Sequence, residues 1–141
     1  MDKYLKPIPA LEEVSKPFWQ GCRREELLLQ RCNNCGRFQF YPRPLCINCM
    51  SRSLEWVRSS GKGAVYSFTV THQTTTPGFA QELPYVFAIV ELIEGVRLTT
   101  NIVGCPPEQV YIGMPVVVVF EPISPEISLP KFVPSSSTFQ V

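Results

Sequence analysis

Residues 32–49 read CNNCGRFQFYPRPLCINC, and this stretch decides the fold. Cys32-Asn33-Asn34-Cys35 and Cys46-Ile47-Asn48-Cys49 are two C-x-x-C pairs with ten residues between them. Two residues between thiols let a tight knuckle turn both sulfurs toward one point. Two such knuckles, facing across a hairpin, give four sulfurs in a tetrahedron, which suits Zn²⁺. Iron in the same S₄ geometry is the chemical competitor. Four protein thiolates leave no open coordination position, so a metal here is structural rather than catalytic. It holds together a segment too short to build its own core. Gly36 follows the first pair, where a knuckle favours positive φ. Met50 follows the second, so that turn cannot rely on glycine.

Outward from the knuckles, residues 27–31 predict a short strand leading in, and Phe38 to Tyr41 its return. Pro42 and Pro44 then limit pairing. Leu54 to Arg58 is another short strand, and Ser59-Ser60-Gly61-Lys62-Gly63 is a turn-rich joint. On the other side, residues 8–21 read as helical, with Leu11, Val14 and Phe18 on one face. Pro17 interrupts that run, and Ser15 can cap a second short helix through Phe18, Trp19 and Gln20. Phe18 and Trp19 either cover a neighbouring sheet or anchor a partner.

From Ala64 the period changes to two. Ala64, Tyr66, Phe68 and Val70 alternate with Val65, Ser67, Thr69 and Thr71, which predicts a strand. A Thr-rich loop with Pro77-Gly78-Phe79 follows, then a strand over 85–93. Glu94-Gly95 turns the chain into a third strand, Val96 to Val103. Pro106 to Val110 suits one helical turn, and Val116 to Phe120 a buried strand. The fold class is mainly β: N-terminal helices, a Cys₄ zinc ribbon, then a five-stranded barrel for which the OB-fold is the natural candidate. The expected units are a helical segment over 1–26, the ribbon over 27–60, the barrel over 61–133 and a flexible tail over 134–141.

Composition narrows the function classes. Hydrophobic residues are 45% and charged residues 18% of 141, which is globular rather than disordered. The net charge of +1 argues against coating nucleic acid by bulk charge. Yet the charge is unevenly placed. Cys22 to Lys62 holds eight basic and three acidic residues; Gly63 onward holds two basic and six acidic. That asymmetry suggests two units with different partners, or simply a solvated surface. No apolar run approaches the roughly 20 residues of a membrane span. Met1 to Ala10 lacks an apolar signal region, so six cysteines point to a reducing, cytoplasmic setting rather than to disulfides.

Candidates for chemistry are few. Cys22 and Cys105 stand outside the quartet, as small buried residues or, beside a base, nucleophiles. His72 is the single histidine, at the entry to the Thr-rich loop, and no nucleophile or orienting acid is placed around it. It is a candidate partner or ligand contact, or a plain loop residue. Glu82, Glu91, Glu94 and Glu108 show no acid–base pairing and read as mostly solvated. Arg37, Arg43 and Arg52 are the better phosphate-gripping groups, since guanidinium presents a planar fork; solvated surface charge is the other reading.

Taken together, these stretches resemble a family that joins a rubredoxin-like zinc ribbon to an acyl-CoA-associated OB-fold, long catalogued as a domain of unknown function. The resemblance is carried by Pro17-Phe18-Trp19, Leu28 to Cys35, Tyr41-Pro42-Arg43, Cys46 to Cys49, Leu54-Glu55-Trp56, Gly61 to Thr71, Pro77-Gly78-Phe79, Pro84 to Glu91, Glu94 to Arg97 and Ile112 to Val116. Met50 departs from it, where glycine is more usual. The resemblance implies a non-catalytic accessory subunit beside a thiolase-superfamily enzyme: a thiolase, an acyltransferase or an aldolase. Arg37, Arg43 and Arg52 would face CoA. Phe18, Trp19, His72, Pro77, Gly78 and Phe79 would contact the partner. The alternative is a single-stranded nucleic-acid binder stacking bases on Tyr66, Phe68, Tyr85 and Phe87. Against it, the barrel half is net acidic, and these aromatics alternate with aliphatics as core-facing residues do.

Overall fold

The computed structural model describes residues 13–72 and 84–135. The helical reading before residue 13, the Pro77-Gly78-Phe79 loop and the tail from 136 lie outside the described residues. Helix α1 runs Lys16–Arg23 from Ser15, with Pro17 in its first turn, where no intrahelical N–H is needed. It ends in a Schellman turn: Glu25 adopts φ 60°, Glu25 N–H donates to the Cys22 carbonyl and Glu26 N–H to the Gly21 carbonyl. Its buried face is Phe18, Gly21 and Cys22. Gly21 is needed because a Cβ there would lie 2.8 Å from the Leu28 side chain. Burying a phenyl ring such as Phe18 contributes roughly 1.5–3 kcal/mol.

Strands β1 (Leu28–Cys32), β2 (Phe38–Gln39) and β3 (Leu54–Arg58) form an antiparallel sheet in the order β2-β1-β3. Strands β4 (Lys62–Thr71), β5 (Tyr85–Leu92), β6 (Arg97–Ile102), β7 (Pro115–Pro122) and β8 (Ser128–Pro134) close a barrel in the order β4-β5-β6-β8-β7. A single 3₁₀ turn, Pro107–Gln109, lies between β6 and β7. The barrel core includes Val65, Val86, Ala88, Val90, Val116 and Phe132, and it is continuous with Phe18, Cys22, Leu27 and Leu29 of the helix and ribbon. The described helix is not long and apolar enough to cross a membrane.

Three details differ from the sequence expectation. First, β4 carries a bulge between Val65 and Ser67, so its inward phase switches. Val65 faces the core before it; Phe68 and Val70 pack against the core after it. Tyr66 sits in the bulge and is 46% exposed, as is Phe87 on β5. Those two aromatics are therefore not core-facing.

Second, the stretch Leu129 to Pro134, which alternation does not mark as a strand, belongs to β8. Two prolines are tolerated because of the edge they face. The Phe132 carbonyl accepts from Val103 N–H and the Pro130 carbonyl from Thr100 Oγ1, so the even residues turn toward β6. There β8 pairs only at Ile102–Phe132, and the absent N–H groups of Pro130 and Pro134 break no ladder. Third, Glu94 is not merely solvated. Its carboxylate accepts from Ser59 Oγ at 2.9 Å and Ser60 N–H at 3.0 Å, locking the joint between β3 and β4.

Candidate metal centre and the groove beside it

The first knuckle follows β1 and the second follows the Pro42–Leu45 turn. The Sγ atoms of Cys32, Cys35, Cys46 and Cys49 all lie within 4.8 Å of one another. Cys32 and Cys49 approach to 3.5 Å, and Cys35 and Cys46 to 3.6 Å. Four sulfurs at about 2.3 Å from one ion stand roughly 3.8 Å apart, so the quartet fits a tetrahedral S₄ metal. The two knuckles repeat one another. Asn34 and Cys35 N–H groups point at Cys32 Sγ at 3.3 and 3.4 Å; those of Asn48 and Cys49 point at Cys46 Sγ at 3.3 and 3.4 Å. Such donors stabilise thiolates: the Cys35 N–H leads in holding the Cys32 thiol down to about 6, against the effect of burial.

Each knuckle closes through a left-handed residue. Gly36 N–H donates to the Cys32 carbonyl at φ 78°, and Met50 N–H to the Cys46 carbonyl at φ 65°. Met50 thus takes the conformation glycine takes in the first knuckle. Behind the second knuckle lie two buried amides that sequence reasoning missed, Gln30 and Gln39. Gln30 Nε2 donates to the Arg43 carbonyl and its Oε1 accepts from Arg43 N–H, both at 2.9 Å. Gln39 accepts from Ile47 N–H at 3.0 Å and donates to the Leu45 carbonyl at 3.2 Å, so it brackets Cys46. The available signal was a polar residue closing the apolar run Leu27-Leu28-Leu29.

Beside the ribbon lies a cavity of about 530 Å³ where the helix, the ribbon turn and the barrel meet. Phe18 and Trp19 come from α1, Tyr41 and Arg43 from the ribbon turn, and Thr99 and Lys131 from the barrel. Phe18 meets Trp19 and Phe40 edge-on, at 5.0 and 5.3 Å between ring centroids. Tyr41 Oη and Thr99 Oγ1 are hydrogen-bonded at 2.9 Å, tying ribbon to barrel. Among the described residues, those lining the groove include no His, Cys, Asp or Glu. It therefore offers aromatic faces, hydroxyls and two cations for recognition rather than an acid–base pair.

The expected site residues separate. The four cysteines converge. Arg43, Phe18 and Trp19 share the groove, Phe18 as part of the core. Arg37 and Arg52 are exposed on the ribbon and do not line it. His72 is exposed just past β4 and does not line it either. Pro77, Gly78 and Phe79 lie outside the described residues. Cys22 is fully buried and its thiol is pushed up to about 12 by desolvation; burial also raises the Cys105 thiol. Neither is poised as a nucleophile. Lys131, which sequence reasoning counted only as charge, is buried and ion-paired with Glu121.

Comparison with known proteins finds two matching family descriptions. Residues 19–55 match the family described as the ChsH2 rubredoxin-like zinc ribbon domain, and residues 56–121 that of the ChsH2 C-terminal OB-fold domain. A "Probable enoyl-CoA hydratase alpha subunit" of Thermomonospora curvata is 41% identical over 133 residues, which is 94% of this chain but 41% of that relative. A "DUF35 domain-containing scaffold protein" of Methanocaldococcus jannaschii is 45% identical over 107 residues, covering 74% of this chain and 75% of the relative. A "Benzoylsuccinyl-CoA thiolase subunit BbsA" of Geobacter metallireducens is 38% identical over 74 residues, 52% of this chain and 48% of the relative. Among solved structures, a chain of the "Ltp2-ChsH2(DUF35) aldolase" superposes with a TM-score of 0.81 at 40% identity, covering 90% of this chain and 98% of that one.

Proposed function

Because this chain belongs to the DUF35 family, which joins a rubredoxin-like zinc ribbon to an OB-fold, we propose that it is a non-catalytic accessory subunit of a thiolase-like acyl-CoA-processing complex. The observation that carries this reading is the groove. It falls within the size of ligand pockets, is walled by aromatics, and holds exposed Arg43 on its rim and buried Lys131 in its wall. An apolar trough edged by cations suits the pantetheine arm of a CoA thioester, with its phosphates toward the cations. The partner supplies the nucleophile and its base. Zinc in the Cys₄ site fixes the ribbon turn that carries Tyr41 and Arg43, and takes no part in the chemistry. The names of the BbsA and Ltp2-ChsH2 relatives support a thiolase-superfamily partner in a hetero-oligomer.

The experiment is a mild pull-down of the tagged chain from its native cells, with mass spectrometry of co-purifying proteins and zinc analysis of the eluate. A stoichiometric thiolase-like chain is the expected result. Recovery of the chain alone overturns the accessory-subunit reading.

One observation favours a second reading. Tyr66 and Phe87 present exposed rings on the outer barrel wall, as a base-stacking surface requires. However, Arg97 already covers the Tyr66 ring at 3.8 Å and is held by Glu91 at 2.8 Å. Salt-sensitive retardation of an oligonucleotide would favour this second reading.

A further inference from the structure

The barrel is weakest where β6 meets β8, since those strands pair at one position only. A second cavity, of about 340 Å³, opens on this seam beside Tyr85, Gly104 and Cys105. It shares two lining residues with the larger groove, Asn101 and Lys131. The two cavities therefore adjoin at a buried lysine. Among the described residues, neither counts a carboxylate in its lining.

Lys131 is unusual in its surroundings. Its side chain is 9% exposed, whereas that of its partner Glu121 is 41% exposed. The lysine side chain has thus given up most of its solvent exposure on folding, and that of its counter-ion has not. A lysine so placed carries three N–H donors, and Glu121 takes one side of it. A ligand anion arriving in either cavity meets a lysine with little remaining exposure to lose. Glu121 can meanwhile turn back to water with little loss.

We propose that Lys131 is the anion-reading residue of this cleft, taking a phosphate or carboxylate oxygen of the bound thioester in exchange for, or beside, Glu121. The inference rests on the groove being a thioester site, and it deepens that reading by naming which cation selects the ligand. Arg43 is the second cation of the groove; its exposed side chain marks the rim, on a backbone held by Gln30. The shared chemistry is an anionic oxygen, and it has two sources: the CoA phosphates or a free carboxylate on the acyl group.

The test is ligand titration of the zinc-loaded full chain by NMR, following the Trp19 indole and the aromatic signals of Tyr41. The probes are CoA against pantetheine, and succinyl-pantetheine against butyryl-pantetheine. Lys131→Met is expected to weaken the anionic member of one pair about tenfold and leave its neutral counterpart unchanged. Loss confined to CoA assigns the phosphates; loss confined to succinyl-pantetheine assigns the acyl carboxylate. Glu121→Gln retains the lysine and removes its competitor, so it is expected to tighten the same anionic probe severalfold. This second variant guards against a Lys131→Met protein that folds poorly. If the groove signals shift but neither variant changes any affinity, the Lys131 assignment is overturned and the groove reading stands. If no probe moves Trp19 or Tyr41, the groove reading falls and this inference falls with it.

Discussion

Gln30 and Gln39 face each other across β1 and β2, and Gln39 Nε2 donates to Gln30 Oε1 at 2.7 Å with both residues 4% exposed. Their amides replace the backbone pairing that Pro42 and Pro44 cannot supply. One serves the backbone of Arg43, the other the residues on either side of Cys46. A buried amide pair is favourable only while all its partners are met. Gln39→Leu is expected to strand Ile47 N–H and the Leu45 carbonyl and to lower stability by about 1–3 kcal/mol. Zinc should also leave faster. Thermal unfolding of the loaded protein and the rate of zinc transfer to a chelator check this. A variant with unchanged melting and unchanged zinc release would show that the amides do not brace the knuckle.

Met50 stands at φ 65° where the matching residue of the first knuckle is Gly36. A left-handed backbone strains a residue with a Cβ by roughly 1–2 kcal/mol. Met50 is also 72% exposed, so its side chain contributes little burial. Met50→Gly is therefore expected to raise stability by about 1 kcal/mol after glycine's entropic disadvantage is deducted. Gly36→Met should lower it by a similar amount. Opposite signs in denaturant midpoints of the zinc-loaded proteins are the required outcome; equal signs contradict the equivalence of the two turns.

The Cys22 thiol gives a pH dependence with a definite sign. Burial pushes it from an ordinary value near 9.0 up to about 12 in the folded chain. Between those values the unfolded chain has released the proton and the folded chain keeps it. Stability therefore falls as pH rises from about 9 toward 12, by up to about 1.4 kcal/mol per pH unit from this group. Cys22→Val removes the thiol and should flatten that part of the profile. The same burial predicts that iodoacetamide leaves Cys22 unmodified until the chain is unfolded, which peptide mass mapping reads directly. Rapid native alkylation of Cys22 would be incompatible with its packing.

Much of the architecture was legible because it rests on local spacing. Two C-x-x-C pairs bring four sulfurs together whatever surrounds them, and the period-two run from Ala64 marks a strand. What stayed hidden depends on partners distant in sequence. The bulge at Val65–Ser67 turns Tyr66 outward, and alternation alone cannot show where a phase slips. Pro130 and Pro134 disguise β8 because their tolerance depends on a neighbour about 30 residues away, facing an almost unpaired edge. The groove was half-legible. Arg43, Phe18 and Trp19 meet there, whereas Arg37 and Arg52, equally suited by chemistry, are carried elsewhere on the ribbon. Lys131 was missed since a lone lysine reads as solvated until its burial is seen.

Metal removal separates the ribbon from the barrel. The barrel core contains Val65, Val86, Val90, Val116 and Phe132, in a cluster that includes none of the four knuckle cysteines. The ribbon has a three-stranded sheet whose β2 is two residues long, and its far end is held by the sulfur quartet. Without a cation, thiolates crowded within 4.8 Å repel one another. Chelation, or Cys32→Ser with Cys46→Ser, is expected to abolish slow amide exchange in β1 and β3 while β4, β5 and β7 keep theirs. Trp56, on β3, should lose its near-ultraviolet dichroism in step. The Tyr41–Thr99 hydrogen bond should open as well, because Tyr41 rides on the ribbon turn. Any CoA affinity of the groove should fall with it, although none of the four cysteines lines the groove. Hydrogen-exchange mass spectrometry on loaded and chelated protein reads both halves at once. Equal protection in the two states would mean that the ribbon is held by its packing against the barrel, and that the metal is dispensable for the fold.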